Sequence, residues 1–356
     1  MSEEKIKIGI THGDINGIVY EVIIKALMDP RILELCIPVV YGSPKVAAYH
    51  RKALNIDNFS FNTINTVEEA SEKRANIINC VDEEIRVELG RSTTAAGESA
   101  FLALESAFKD LRDKKIHAIV TGPINKYNIQ SENFPFNGHT EYLQAFFDAE
   151  EVLMLMVGNI LKVGVVAGHI PMSQLATYIT KDRILSKLRV LNHSLREDFG
   201  IRKPRIAVLA LNPHAGDNGV IGNEEIETII PAIEQAKNEN ILALGPYPAD
   251  GFFGSGSFTK FDAILAMYHD QGLIPFKTLV ADEGVNFTAG LPVIRTSPAH
   301  GTAYDIVGKD EAQCGSFLNA LYLACDIYKN RKLFASVNRN PLPAGLPDEL
   351  MGAKDA

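Results

Sequence analysis

The chain has 356 residues, 46% hydrophobic and 22% charged, with a net charge of −9. That length supports one large or two ordinary domains without a disulfide or metal staple. The acidic balance argues against nucleic acid or an anionic membrane as the main partner, because both call for a cationic face; a local set of cations and helix N-termini can still take a small anionic substrate.

Lys5 to Ile10 reads as a first strand. The polar loop Thr11-His12-Gly13-Asp14-Ile15-Asn16-Gly17 follows, then a helix from Glu21 to Met28. Strand, loop, helix is the opening of an α/β fold. The loop is not GxGxxG, so the common dinucleotide fingerprint is absent here. Cys36 to Tyr41 is a second strand. Ser43 then caps a helix with Pro44 at its first position, running to about Leu54. Thr63 to Glu88 alternates short strands with polar turns. The spacing of Ala100, Leu104, Ala107, Phe108 and Leu111 predicts a helix over Thr94 to Asp113. Ala118-Ile119-Val120 is a strand with the exit loop Thr121 to Lys126.

His139 follows in the loop Phe136 to Glu141, where Thr140 is placed to cap a helix to about Phe147. Leu153 to Gly158 and Leu161 to Ala167 read as a hairpin turning at Gly158-Asn159. The second of these strands ends at Gly168-His169. Helical spacing resumes over Thr180 to Phe199. Arg205 to Leu211 is a buried strand that runs into Asn212-Pro213-His214, and a helix begins near Glu224. Pro246 to Gly251 is a loop bearing one carboxylate, Asp250. Ala263 to Ala266 is a further buried strand, ending at His269-Asp270-Gln271, with a turn at Gly272 and Lys277 shortly after.

Leu291 to Ile294 reads as a strand followed by Arg295, which would clamp a phosphate or carboxylate or sit in a surface ion pair. His300-Gly301-Thr302-Ala303-Tyr304-Asp305 is a small-residue loop with exposed amides, either a nucleotide contact or a simple turn. Gly315 to Tyr328 is a closing helix, and Pro341 to Ala356 a loose tail. The cysteines, Cys36, Cys80, Cys314 and Cys325, form no CxxC pair and read as buried thiols. No stretch reaches the roughly 20 apolar residues of a membrane span. The expected location is cytoplasmic.

His169, His214 and His269 share a topological position: each lies just past the C-terminal end of a predicted buried strand. In a doubly wound sheet such ends converge on one edge. Three imidazoles meeting there can bind a divalent ion and leave positions open for substrate. The alternative is three unrelated core histidines.

Longer segments carry a resemblance. They are GITHGDINGI near the start, TGPINK at 121–126, the PF-x-GHTEYL segment at 135–143 and GHIPMSQ at 168–174. LNPHAGDNGVIGNEEI at 211–226, GPYPAD at 245–250, LAMYHDQGLIPFK at 265–277 and VNFTAGLPVIRTSPAHGTAYDI at 285–306 follow in the same order. The chain resembles the 4-hydroxythreonine-4-phosphate dehydrogenase family of pyridoxal 5′-phosphate biosynthesis. The resemblance implies two α/β/α subdomains related to isocitrate and isopropylmalate dehydrogenases, with the active site in the cleft between them. Residues 1–130 with 285–356 would form the NAD-binding subdomain, and 131–284 the metal- and dimer-forming one. It also implies a homodimer with active sites at the subunit interface. There His169, His214 and His269 would hold a shared divalent metal (Zn, Mg, Mn or Co), and His139, Thr140, Lys277, Asn286 and Arg295 would contact substrate. The loop at 300–306 resembles the adenosine-binding loop of isopropylmalate dehydrogenases. It assigns His300, Gly301, Thr302, Ala303 and Asp305 to NAD or NADP. The family's first motif usually reads GDPAGIGPE; two prolines and a glycine of it are replaced here.

The implied reaction oxidises the secondary alcohol of a small phosphorylated hydroxy-amino acid to a β-keto acid. That product can lose CO2 to give 3-amino-2-oxopropyl phosphate. A metal on the hydroxyl would lower its pKa, and hydride would pass to the nicotinamide. Lys277 is a candidate acid–base or carboxylate-binding group, since a buried Lys beside a metal can have a lowered pKa; Asp250 is a second candidate. D-threonate or D-erythronate 4-phosphate is an alternative substrate. A metal-dependent phosphosugar lyase and a catalytically dead sugar-phosphate sensor are alternatives of other classes.

Overall fold

The computed structural model describes residues 5–82, 84–136 and 138–339; Asn137 and the expected tail over 341–356 lie outside them. The strands are β1 (Ile6–Thr11), β2 (Cys36–Gly42), β3 (Asn62–Ile64), β4 (Asn76–Asn79), β5 (Ala118–Thr121) and β6 (Leu153–Val157). They continue with β7 (Lys162–Ala167), β8 (Arg205–Leu209), β9 (Leu242–Tyr247), β10 (Ala263–Tyr268), β11 (Val285–Ala289) and β12 (Arg295–Pro298). All pair into one sheet of order β3-β4-β2-β1-β5-β12-β11-β6-β7-β10-β8-β9. The fold is α/β with a sheet dominated by parallel pairs.

Parallel pairing needs crossovers that cover both faces, so these strands read as apolar runs rather than alternations. Ile8, Ile10, Val40 and Val120 pack into the core on one face, and Val39, Tyr41 and Ile119 into that on the other with Phe108 of the Thr94–Arg112 helix. The predicted hairpin forms as the antiparallel pair β6/β7.

Two antiparallel steps lie beside it, β11 with β12 and β11 with β6. Three reversals in a row mean that the block β3-β4-β2-β1-β5-β12 runs opposite to the block β7-β10-β8-β9. The single edge of strand exits expected from sequence therefore exists only within each block. β7, β10 and β8 are parallel neighbours, so the starting points of His169, His269 and His214 do lie side by side.

Several local readings change. Gly272 is not in a turn: it lies inside a helix, His269–Val280. A Cβ there would stand 2.8 Å from Val163 Cγ1 and 3.0 Å from Ala266 Cβ, so the glycine lets the helix lie close on β7 and β10. Thr140 does not cap its helix; the helix is His139–Phe146, its N-cap residue is Gly138, and no side chain caps it. Asp250 lies in the first turn of a short helix, Ala249–Gly254, rather than in a loop. The closing helix continues past Tyr328 to Val337.

The replaced first motif is stitched by side chains instead of prolines. The Tyr20 hydroxyl accepts from Ser43 N at 2.8 Å and lies 2.9 Å from His12 Nδ1, while its ring stacks on His50. Asn16 Nδ2 donates to the Arg91 carbonyl and to Thr93 Oγ1, and its Oδ1 accepts from Glu88 N. Burial keeps His12 and His50 neutral, with pKa values lowered to about 4.

Candidate active site

Over the antiparallel middle of the sheet lies a cavity of about 280 Å³. Met154 and Met156 of β6, Asn286 of β11, and Arg295 and Ser297 of β12 line its floor; positions two apart on a strand share a face. The Thr121–Lys126 loop, Gly138 to Glu141, His169, and His269, Leu273 and Lys277 form its walls, with His300 and Gly301 at one end. The predicted substrate residues His139, Thr140, Lys277, Asn286 and Arg295 thus all line one cavity.

Arg295 begins β12 rather than following a strand, and it is buried, not in a surface ion pair. It donates Nε–H and Nη2–H to Thr121 Oγ1 at 3.0 and 2.8 Å, and Nη1–H to Thr288 Oγ1 at 3.2 Å. Neutral hydroxyls hold the guanidinium, and no carboxylate pairs with it among the described residues. Burial lowers its pKa to about 10, so it keeps its charge at neutral pH. A buried, positioned and unneutralised guanidinium is a receptor for phosphate or carboxylate.

His139 stands beside Arg295 in the cavity wall. Arg295 Nη2 lies 3.3 Å from His139 Nδ1. Arginine has no lone pair to offer, so Nδ1 accepts and the ring proton sits on Nε2. Burial, then the nearby Arg295 and Lys126 charges, push the His139 pKa well below its usual value. The ring is a neutral donor, and its Nε2 is buried with no protein partner. Asn286 Oδ1 and His300 Nε2 are likewise buried and unpartnered. Three such atoms in the wall of one cavity mark places where a ligand's polar groups fit. Lys277 is exposed at the cavity mouth, contrary to the buried lysine expected.

The three histidines separate. His169 and His269 face each other with ring centroids 5.9 Å apart. His169 Nδ1 is 3.8 Å from Glu141 Oε1, and His269 Nδ1 is 2.7 Å from Asp270 Oδ1. Carboxylates at Nδ1 leave each Nε2 available, the arrangement that fixes metal-ligating imidazoles. His214 is elsewhere. Glu225 accepts from the amides of Leu211 and Asn212 at 2.8 and 2.7 Å, and residues 214–218 all have positive φ, from 45° to 77°. This left-handed turn carries an exposed His214 out of the cavity wall. Among the described residues no three His, Cys, Asp or Glu side chains could hold a metal ion together. Of the three predicted imidazoles, one chain brings His169 and His269 together and not His214.

Asp250 also lies outside the cavity. It lines a shallower groove of about 780 Å³ with Pro213, Phe253, Asp270, Ile274 and Leu279, on the other side of the His269–Val280 helix. The proposed cofactor loop divides as well. His300 and Ala303 line a second cavity, of about 450 Å³, that shares Lys277, Ala299 and His300 with the first. The Thr302 carbonyl is occupied by Ile18 N at 3.0 Å. Asp305 is exposed and lines neither cavity. Glu141 and Lys126 line the main cavity although sequence reasoning did not single them out; both stand inside the quoted segments GHTEYL and TGPINK.

The chain as a whole is similar to known proteins. The family model of the pyridoxal phosphate biosynthetic protein PdxA matches residues 34–324. The chain belongs to this family. A PdxA-family relative in Bacteroides thetaiotaomicron, named 4-hydroxythreonine-4-phosphate dehydrogenase, is 54% identical over 96% of this chain and 94% of its own. A relative in Oceanobacillus iheyensis, provisionally named D-threonate 4-phosphate dehydrogenase, is 40% identical over 92% of this chain and 99% of its own. The crystal structure of 4-hydroxythreonine-4-phosphate dehydrogenase from Klebsiella pneumoniae superposes with a TM-score of 0.79 at 33% identity, covering 92% of this chain and 99% of that one. Among the described residues no helix is long and apolar enough to cross a membrane.

Proposed function

We propose that the chain is a cytoplasmic dehydrogenase that oxidises 4-phosphohydroxy-L-threonine with NAD or NADP, in pyridoxal phosphate biosynthesis. The observation that carries the reading is the main cavity, where a buried unpaired Arg295 and a donor-only His139 Nε2 stand beside further unpartnered polar atoms. Arg295, His139 and Thr140 bind the phosphate. Asn286 and Lys277 hold the carboxylate end and orient the hydroxyl-bearing carbon toward the second cavity.

Residues of the 300–306 loop, with Lys277 and His300 where the two cavities meet, would hold a nicotinamide dinucleotide. It supplies the hydride acceptor. Lys277 and the free Nε2 of His300 are the groups placed to take the hydroxyl proton there. Arg295 and His139 keep the phosphate fixed while the reacting carbon is held against the cofactor. The β-keto acid so formed loses CO2. Residues 1–130 with 285–356, and 131–284, are the two subdomains whose strands meet at β11.

His169 and His269 would hold a divalent ion, with the partner subunit's His214 as the third imidazole, in a homodimer. Such an ion would supply Lewis acidity toward the substrate hydroxyl. The apolar groove beyond the His269–Val280 helix supports this dimer: Ile274 is 63% and Leu279 41% exposed there, beside the segment bearing His214 and near Asp250. An apolar face of this kind on a soluble enzyme marks a contact surface.

Purified protein with a divalent metal, NAD and 4-phosphohydroxy-L-threonine should raise absorbance at 340 nm. Product without NADH would make it a lyase, and no reaction would sink the reading. The relative named for D-threonate 4-phosphate favours that acid as the second reading, and a side-by-side comparison of the two substrates decides it.

A further inference from the structure

The segment that lines the second cavity has no framework of its own. Residues 299–314, all of them described, join β12 to the closing helix and hold no helix or strand. His300, Ala303, Ile306, Glu311 and Ala312 of this loop line the cavity together with Ile18. Loops of more than about 12–15 residues without secondary structure are uncommon, and they are usually functional or disordered. Something outside this one has to hold its shape.

Three anchors come from one short stretch, the β1 exit loop and the Val19–Leu27 helix. Ile18 N–H donates to the Thr302 carbonyl at 3.0 Å, and a Cβ on Gly17 would stand 2.5 Å from that oxygen. The Tyr304 hydroxyl donates to Asp14 Oδ2 at 2.6 Å and accepts from Asn125 Nδ2 at 3.0 Å. Burial, then the Asp14 carboxylate, push the Tyr304 pKa up to about 12, so the phenol remains a donor at neutral pH. Ala312 N–H donates to Glu21 Oε1 at 3.0 Å. Lys25 Nζ lies 2.8 Å from the same oxygen and 2.9 Å from Asp310 Oδ1, and it donates to the Ala312 carbonyl at 2.9 Å.

Asp14 and Glu21 are both buried. Glu21 Oε2 is also without a partner among the described residues. A half-satisfied buried carboxylate costs stability, and an apolar side chain of similar volume would fill the place without that cost. What Glu21 does that an apolar residue cannot is hold Ala312 and Lys25 at once. None of Asp14, Glu21, Lys25 and Tyr304 lines either cavity, so any effect of theirs on a ligand has to travel through the loop.

We infer that Asp14, Glu21 and Lys25 are positioning residues for the dinucleotide: they preset the backbone of the 300–313 loop, with Tyr304 as its handle, and touch no ligand themselves. The inference rests on the proposed dehydrogenase activity. A loop already in its binding shape spares the cofactor the cost of ordering it.

The test measures NADH affinity by fluorescence titration, and 4-phosphohydroxy-L-threonine affinity by calorimetry, in metal-loaded wild type, Tyr304→Phe, Lys25→Met and Lys25→Arg. Tyr304→Phe and Lys25→Met should each raise the Kd for NADH about 10-fold, as if the loop kept its binding shape in a tenth of the molecules. KM for NAD should rise in parallel, with kcat at saturating NAD and the affinity for 4-phosphohydroxy-L-threonine unchanged. Lys25→Arg keeps a cation between Glu21 and Asp310 and should restore much of the loss. Should Lys25→Met fail to fold, Tyr304→Phe carries the test, since it removes one oxygen and leaves the ring. Unchanged NADH affinity in the folded variants would overturn the inference. An equal loss for both ligands would overturn it too, by making the anchors general scaffolding, and would leave the dehydrogenase reading intact. A wild type that binds no NADH would overturn both.

Discussion

The two sides of the His269–Val280 helix have opposite character. One side presents His269, Leu273 and Lys277, spaced at i, i+4 and i+8, to a polar cavity whose donors and acceptors await a ligand. The other presents Ile274, Pro275, Thr278 and Leu279 to a broad, largely apolar groove. The proposed function puts a small molecule on the first surface and a second copy of the chain on the second, and the left-handed turn that takes His214 away from the cavity leaves it beside that groove.

The strongest way to break that comparison is His214→Ala. The residue is exposed, so the variant should melt close to wild type, yet turnover and bound metal should both be lost. Retained metal with near-normal turnover would remove His214 from the site. Ile274→Glu attacks the groove alone. A charge placed in an apolar contact should dissociate the dimer in sedimentation and abolish activity, while phosphate binding in the cavity persists; a dimer of unchanged affinity would show that the groove is not the interface. Arg295→Met removes the charge but keeps much of the volume. Loss of charge-assisted hydrogen bonds worth roughly 3 kcal/mol together should lower kcat/KM about 100-fold, and a loss under threefold would exclude Arg295 as the anion clamp.

The smallest effect concerns the fold beside the site. Burial lowers the pKa of His12 and His50 to about 4. Below about 6.5 the unfolded chain takes up protons that these rings refuse in the fold. Their contribution to stability is complete above that value and declines as pH falls from 6.5 toward 4. The slope is at most ~1.4 kcal/mol per pH unit for each ring. Denaturant unfolding at pH 7 and pH 5 should show this decline, and His50→Gln should flatten part of it. Equal stability at both values would contradict it.

Much of this was legible in the residues. The apolar runs at β7, β8 and β10 and the polar residues just after them were enough to place three histidines at neighbouring strand ends. The long quoted segments named five residues that the fold brings to one cavity. Other features depend on contacts between distant segments, which no local pattern records. The opposite sense of the two parallel blocks is set by β11 pairing with β12 and β6, and nothing in Val285–Ala289 states its direction. Gly272 reads as a turn because glycine usually breaks helices, but here the absence of a side chain is what allows close packing on Val163 and Ala266. For Arg295 the sequence leaves a surface ion pair beside an anion clamp, because arginine is seldom buried; Thr121, far off in sequence, and Thr288 make its burial tolerable. Glu141 was passed over because nothing local to GHTEYL says that its side chain reaches the cavity and His169.

The central claim is that one chain's cavity is completed by the partner subunit's His214. Mixing inactive Arg295→Met subunits with inactive His214→Ala subunits tests it directly. If the claim holds, each mixed dimer regains one intact site, with the cavity of the His214→Ala chain and the histidine of the other. Random re-association should then recover about a quarter of wild-type turnover. If His214 serves its own chain, every site in the mixture carries a lesion, and no activity returns.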